Sequence, residues 1–136
     1  MTLYAVGQAH GLLVAGTGNK VEDFGIGFYT KYGDGGVDIS PIADLLKSEV
    51  FSLARFHKII DEIIEAEPND GLWNDNRSDE DQIGASYEEI ETAMINFDKN
   101  EDLSHREKEV LKIYKSFNTA NKHKMDPIPL LDQICR

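Results

Sequence analysis

Leu12-Leu13-Val14-Ala15, followed by Gly16-Thr17-Gly18, is the stretch of sequence that decides the fold class. An unbroken apolar run ending in a glycine-rich turn is typical of a short strand buried on both faces, as in a parallel sheet. Ligands of open α/β sheets bind outside the carboxyl ends of such strands. The stretch therefore predicts an α/β fold with a ligand contact at Gly16–Gly18. A plain tight turn is the alternative explanation of these three residues.

Helical patterns surround this stretch. Gly11 stops a helix over Leu3–His10, and Ser48–His57 has apolar residues at i, i+3, i+4 and i+7, with His57 on the apolar face. Capping boxes at Ser86-Tyr87-Glu88-Glu89 and Ser104-His105-Arg106-Glu107 begin two further helices, the second expected to run to about Asn121. The remaining predictions are a loop at Gly33–Gly36, a helical turn at Ser40-Pro41, a loop over Pro68–Gly84 and a non-helical tail at Pro127-Ile128-Pro129.

The predicted elements include only one strand, so the sequence supplies no sheet for it to join. A parallel strand needs neighbours for its backbone donors and acceptors, yet the rest of the pattern is helical. Three explanations remain open: other strands are hidden in the sequence, another polypeptide supplies them, or the chain is a fragment.

Composition narrows the function classes. The 136 residues are one domain's worth of chain, and 14 basic against 25 acidic residues give a net charge of −11, which argues against nucleic-acid binding. No apolar run could span a bilayer, the first residues do not resemble a signal peptide, and Cys135 is the single cysteine. We expect a cytoplasmic protein without disulfides. Most charges are read as solvated surface, although Lys122-His123-Lys124 is compact enough to meet an anion.

Candidate chemistry is concentrated after the predicted strand. The glycines there match neither the dinucleotide fingerprint nor the Walker A spacing. Glu22 could hold magnesium beside a phosphate, and Asp34 is the further carboxylate best placed to reach a ligand. Lys31 or Lys47 could serve phosphate as a point charge. A surface acid and a turn aspartate are the plainer alternatives. Lys47 is misplaced for the dipole of the helix that it begins, which favours another role for it.

Several longer motifs resemble the NAD synthetase family. They cover nearly the whole chain in order: Gly16-Thr17-Gly18-Asn19-Lys20-Val21-Glu22, Phe28-Tyr29-Thr30-Lys31-Tyr32-Gly33-Asp34-Gly35-Gly36, Asp38-Ile39-Ser40-Pro41-Ile42-Ala43-Asp44-Leu45, Asp70-Gly71-Leu72-Trp73, Asp79-Glu80-Asp81-Gln82-Ile83-Gly84 and His123-Lys124. The block from Lys31 to Asp44 is long enough to be specific.

The resemblance implies an α/β, Rossmann-like fold of the adenine-nucleotide α-hydrolase type, here a mostly helical portion with few parallel strands. It implies a ligase that uses ATP and Mg²⁺ to adenylylate the nicotinate carboxylate of deamido-NAD. Ammonia, free or derived from glutamine, then attacks the acyl adenylate to form NAD. Charge that develops on the phosphates needs magnesium and lysine to stabilise it.

Site roles follow position by position from the same resemblance. Glu22 would be the metal ligand. Thr17, Lys47 and Asn69 would contact ATP, with Asn69 standing where many relatives have threonine or serine. Lys31, Asp34, His123 and Lys124 would hold deamido-NAD. No catalytic residue is assigned.

One family element is absent from the sequence. No Ser-Gly-Gly-x-Asp-Ser pyrophosphate loop occurs in residues 1–136. We therefore expect a single partial synthetase domain, the C-terminal half, that cannot complete adenylylation alone. Its partners would be a complementing synthetase segment or a second copy, since family members are homodimers. The alternative function is a non-catalytic remnant acting as an interaction or dimerisation module.

Overall fold

The computed structural model describes residues 1–69, 71, 77–98 and 103–130. This part of the chain is mostly helical, and none of its helices is long and apolar enough to cross a membrane. The elements are α1 (Thr2–His10), a π-helix (Lys20–Ile26), α2 (Lys47–Phe56), α3 (Asp61–Ile64), α4 (Asp79–Ile83), α5 (Tyr87–Ile95) and α6 (His105–Met125).

The core lies where the π-helix packs against α5 and α6. Val21 and Ile26 of the π-helix are fully buried there, together with Ile90 of α5 and Val110 of α6. Burial of an aliphatic side chain of this size contributes roughly 1.5–3 kcal/mol, so these four residues fix the packing of the three helices. The buried apolar set is completed by Ile83, Ala85, Tyr87, Ala93 and Tyr114.

Side chains of α6 also bind the backbone at the end of the π-helix. Asn118 Nδ2 donates to the carbonyl of Gly25 at 2.8 Å, and Asn121 Nδ2 donates to the carbonyl of Ile26 at 2.9 Å. One turn further on, Lys124 Nζ donates to the carbonyl of Gly27 at 2.8 Å. The last carbonyls of a helix have no partner within the helix. We call these three contacts the α6 clamp, because they satisfy those carbonyls and fasten the segment to α6.

The predicted helix boundaries are largely confirmed. Gly11 ends α1 in the left-handed conformation, at φ 65°. Ser86 and Ser104 cap α5 and α6 through the predicted boxes, with Glu89 and Glu107 as the reciprocal carboxylates. The last helix continues to Met125, past the predicted end, because the α6 clamp holds its final turns.

The predicted buried strand is wrong for the described residues. Leu12 is 63% and Leu13 69% exposed, although Val14 is buried. The only strand-like pairing in the described ranges is one parallel bridge between Ala15 and Ile39. The prediction of a continuous strand failed because, in the part of the chain that the structure describes, only this single bridge pairs the stretch.

Two helical segments were missed. A helix over Asp79–Ile83 lies inside the stretch predicted as a loop, begun by Ser78 with Asp81 as the reciprocal carboxylate. Asn19 begins the π-helix by accepting hydrogen bonds from two backbone N–H groups, just after the predicted glycine-rich turn, where no helix was predicted. Both begin with a capping residue followed three positions later by an acid, a variant of the signature that located α5 and α6.

The predicted exposure of three side chains was also wrong. His57 lies exposed at the end of α2, not on an apolar face. Asp79 and Glu91, counted among the solvated acids, are buried. Glu91 accepts hydrogen bonds from the backbone N–H and the hydroxyl of Ser48, at 2.9 and 2.7 Å, and so joins α5 to the start of α2. Leu72, Trp73 and Cys135 lie outside the described residues.

We expect the core packing to dominate stability. Ile90→Ala should lower the free energy of unfolding by about 2–5 kcal/mol, because it leaves a cavity between three packed elements. Ile95→Ala, on the same helix but 63% exposed, is the matched control and should change it by less than about 0.5 kcal/mol. Urea denaturation of the two variants makes the comparison, and equal losses would contradict this description of the core.

The contact between α5 and α6 should depend on pH. Bidentate hydrogen bonds from Arg106, together with the backbone N–H of Ser86, lower the pKa of Glu89 to about 2. A carboxylate with a pKa lowered on folding stabilises the fold above its unfolded pKa, and this contribution is lost as the pH falls through the folded value. The stability advantage of the wild type over Glu89→Gln should therefore shrink between about pH 4.5 and pH 2.

Urea denaturation at several pH values tests this dependence. Glu88→Gln removes a neighbouring exposed carboxylate and serves as the matched control. A Glu89→Gln difference that stays constant down to pH 2 would exclude the proposed role of Arg106.

Candidate functional site

Four predicted site residues line one small cavity of about 200 Å³: Thr17, Glu22, Asp34 and Asn69. They come from three separate stretches of the chain, which meet beside the first turn of the π-helix. The remaining lining residues, which the sequence did not single out as ligand contacts, are Gly18, Asp23, Phe28 and Asp79.

The Asn19 cap sets the position of Glu22. The side-chain oxygen of Asn19 accepts from the backbone N–H of Val21 at 2.9 Å and of Glu22 at 3.0 Å. Its Nδ2 donates to Glu22 Oε2. Asn19 is itself buried, so the Glu22 carboxylate is held by a rigid support at the cavity wall.

Gly18 leaves the space that the Asp23 carboxylate occupies. A Cβ at this position would lie 1.8 Å from a carboxylate oxygen of Asp23. A side chain at this position would therefore displace the Asp23 carboxylate. Asp23 reaches the same cavity as Thr17.

Lys47 reaches this cavity through an ion pair. Its Nζ lies 2.6 Å from Glu22 Oε1, and each of the two side chains is only 17% exposed. The ammonium also lies 4.9 Å from the centre of the Tyr87 ring, within cation–π range. The electrostatic misfit of a lysine at the start of α2 is thus offset by a carboxylate 25 residues earlier in the chain.

The cavity is strongly negative. Burial, together with the charges of Glu22 and Asp34, raises the pKa of Asp23 to about 6. Burial, with the charges of Glu22 and Asp79, likewise raises the pKa of Tyr87, whose hydroxyl donates to Asp79 Oδ2 at 3.2 Å. Lys47 is the cation paired with Glu22 at this wall.

The carboxylate oxygens of this cavity suit a magnesium ion that is also bound by phosphate oxygens. Mg²⁺ in nucleotide sites usually takes one or two protein carboxylates, with waters and phosphate oxygens filling its remaining positions. Glu22 and Asp23 are hard oxygen donors on one wall of the cavity. Among the described residues, no group of three or more potential ligands is arranged to enclose a metal by itself. The residues therefore fit a metal that arrives with phosphate.

The other three predicted residues meet at the end of α6. Lys31 Nζ donates to the carbonyl of His123. Lys124 Nζ donates to the carbonyl of Tyr29 at 2.8 Å, and the Tyr29 hydroxyl donates to the carbonyl of Lys124 at 2.6 Å. Asp34 links this group to the cavity: its Oδ1 accepts from the backbone N–H of Thr30 at 2.8 Å. One turn thus carries Lys31 toward α6 and Asp34 toward the cavity.

Residues that the sequence analysis missed have weak local signals. Asp23 is adjacent to Glu22, but adjacency does not say that both acids face one cavity. Asp79 and Tyr87 follow recognisable caps, yet only tertiary packing places Asp79 in the cavity and the Tyr87 ring beside Lys47. Asn118 and Asn121 had no signal at all, because their partners lie 93 and 95 residues away.

Comparison with known proteins gives consistent matches. A family model described as NAD synthase matches residues 1–127. An NH(3)-dependent NAD(+) synthetase from Alkaliphilus oremlandii is 41% identical over 129 residues, which are 94% of this chain and 48% of that enzyme. Its counterpart from Syntrophomonas wolfei is 35% identical over 131 residues, covering 96% of this chain and 50% of the enzyme.

Two solved synthetase structures also superpose on this chain. An NMN synthetase from Francisella tularensis superposes with a TM-score of 0.81 at 32% identity, covering 96% of this chain and 51% of that one. An NH3-dependent NAD synthetase from Campylobacter jejuni has a TM-score of 0.67 at 24% identity, covering 96% and 50%, and supports the fold alone.

The chain thus spans about half the length of the curated relatives that match it over most of its residues. The match to the family model nevertheless extends over almost the whole sequence. That match shows that this chain belongs to the NAD synthase family.

Proposed function

We propose that this chain contributes the ATP- and magnesium-handling part of an NAD synthetase. The reaction is the ATP-dependent amidation of deamido-NAD through an acyl adenylate. The observation that carries the proposal is the cavity in which Thr17, Glu22, Asp34 and Asn69 meet, with Lys47 at its wall. The chain matches about half of its relatives, so the complete reaction needs a complementing segment.

The ATP contacts would act as follows. The Thr17 hydroxyl can donate to or accept from the nucleotide, and the backbone at Gly18 allows close approach. Asn69 supplies an amide, which can hydrogen-bond to the nucleotide. Lys47 provides a positive charge for the phosphates, and its pairing with Glu22 keeps it oriented when no phosphate is bound. When bound, Mg²⁺ would neutralise charge developing on the phosphates. Glu22 would hold it, with Asp23 as a second oxygen donor.

The deamido-NAD contacts would lie at the end of α6. Lys31, His123 and Lys124 are gathered there, and Asp34 lies on the turn between this group and the cavity. Lys124 also binds two backbone carbonyls, so it would position the Gly27–Tyr29 backbone as well as meet the anionic substrate. Ammonia would then attack the activated carboxyl group. We further propose a cytoplasmic protein that assembles as a homodimer once completed.

Nicotinate mononucleotide is a second candidate substrate. The Francisella tularensis structure, which superposes with a TM-score of 0.81, is that of an NMN synthetase. The same chemistry on the mononucleotide would need the same ATP and magnesium contacts. Comparing deamido-NAD with nicotinate mononucleotide as substrates of the completed enzyme decides between the two.

We expect the isolated chain to bind MgATP without making NAD. MgATP at about one hundred times its dissociation constant should stabilise the fold by about 2.7 kcal/mol in thermal or urea unfolding. NAD formation from deamido-NAD, ATP and ammonia should stay at background. Turnover above background would contradict the incompleteness of the chain, and the absence of any response to MgATP would contradict the nucleotide site.

Lys47→Met should weaken MgATP binding about tenfold or more. A hydrogen bond to a charged group contributes roughly 1.5–3 kcal/mol, and the substitution removes the positive charge at the cavity wall. Isothermal titration calorimetry measures the affinity, and circular dichroism checks that the variant is folded. Lys112→Met, at an exposed position of α6, removes the same charge elsewhere and should bind normally. A folded Lys47→Met variant with unchanged affinity would remove Lys47 from the proposed site.

A further inference from the structure

Glu91 of α5 is a buried carboxylate to which the proposed reaction gives no part. It is 8% exposed, and both of its oxygens bind Ser48, the second residue of α2. Oε1 accepts from the backbone N–H of Ser48 at 2.9 Å, and Oε2 accepts from its hydroxyl at 2.7 Å. A buried charge needs hydrogen bonds to replace its lost hydration. The start of α2 therefore has a specific partner on a neighbouring helix.

Apolar packing does little to hold α2 in place. None of the residues of this helix is buried. Most of the stability of a helix in a protein comes from packing of an apolar face, so polar contacts have to position its first turn. The first N–H groups of a helix have no partner within the helix, and a carboxylate beside them interacts favourably with the helix dipole. Glu91 supplies both an acceptor and a negative charge at that end.

Lys47 lies between two fixed points of the backbone. Ser48, held by α5, follows it directly. Before it, the carbonyl of Leu45 accepts from the backbone N–H of Lys20, the first residue of the π-helix, at 2.9 Å. Between these two points, the Lys47 ammonium reaches Glu22 at 2.6 Å. Release of either point would give the Lys47 backbone, and with it the ammonium, more freedom to move.

One face of α5 contacts both Lys47 and the residue after it. Tyr87 and Glu91 are four residues apart in α5, so they lie on the same face of the helix. The Tyr87 ring lies beside the Lys47 ammonium, whereas Glu91 holds the backbone of Ser48. We infer that Glu91 is a positioning residue, which holds Lys47 at the cavity wall by fixing the first turn of α2. This inference rests on the proposed function, in which Lys47 meets the phosphates of ATP.

A purely structural role is the alternative for Glu91. As a cap between α5 and α2, it would stabilise the whole fold, and its loss would have no selective effect on Lys47. The two roles therefore predict different accessibilities of individual lysines. Lys124 reports general opening, because its ammonium binds the carbonyls of Gly27 and Tyr29 and belongs to α6.

Competitive acetylation of the chain without nucleotide, read by mass spectrometry for each lysine, measures this accessibility. Glu91→Ala should raise the acetylation rate of Lys47 about fivefold, a coupling typical of contacting residues, and leave the rate of Lys124 unchanged. Glu89→Ala is the matched control, because it removes a carboxylate of the same helix that binds Arg106, and Lys47 should stay protected in it. Glu91→Gln keeps the side-chain shape and one acceptor. It should give a smaller rise at Lys47 alone, and it replaces Glu91→Ala if that variant does not fold.

Isothermal titration calorimetry with MgATP connects this position with the site. Glu91→Ala should weaken MgATP binding about fivefold in the wild type and have no further effect in Lys47→Met, because a positioning residue acts only through the residue that it positions. Unchanged affinity in Glu91→Ala, or an equal loss with and without Lys47, would overturn the inference.

The acetylation pattern can overturn it as well. Equal increases at Lys47 and Lys124 would assign Glu91 a structural role only, and an unchanged rate at Lys47 would show that Glu91 does not hold it. If the wild type fails to bind MgATP, the proposed nucleotide site is contradicted. Acetylation, which needs no nucleotide, then still decides the role of Glu91.

Discussion

The contact between α6 and the π-helix is the constraint on which the rest of the structure depends. Val21 and Ile26 are buried against α5 and α6, and the α6 clamp binds the carbonyls that follow. A helix this short gains little stability from its own hydrogen bonds, so tertiary packing has to hold it. Once it is held, Glu22 and Asp23 face the cavity from its first turn. The turn that carries Lys31 and Asp34 comes after the last turn of the π-helix.

The Glu22–Lys47 pair gives the site its electrostatic character. Two charges that are mostly removed from water lose solvation that their attraction only partly restores, so such a pair is weak evidence for stability. Here the pair lies in a wall with other carboxylates, and it presents an oriented ammonium next to hard oxygen donors. That arrangement suits a ligand bearing both phosphate and a divalent cation. An acidic cavity without Lys47 would attract the cation and repel the phosphate.

The stretch Leu12–Ala15 has the pattern of a buried strand, and this chain aligns with only about half of each of two relatives. A sequence pattern that calls for a buried parallel strand has, in the described residues, one bridge and two exposed leucines. The relatives that match the chain are about twice as long as the region that aligns. Thr17 and Gly18, which line the cavity, follow this apolar stretch directly after Gly16.

The sequence by itself determined features that depend on neighbouring residues. Ser86 and Ser104 located two helices because a cap and its reciprocal carboxylate lie within one turn, and Gly11 ended α1 because glycine tolerates the left-handed conformation. The motif block from Lys31 to Asp44 was specific enough to indicate the family. Tertiary structure alone decided the pairing of Lys47 with Glu22, the position of Asp23 and the exposure of Leu13. Each of these depends on which distant segments pack together, and local periodicity carries no information about that.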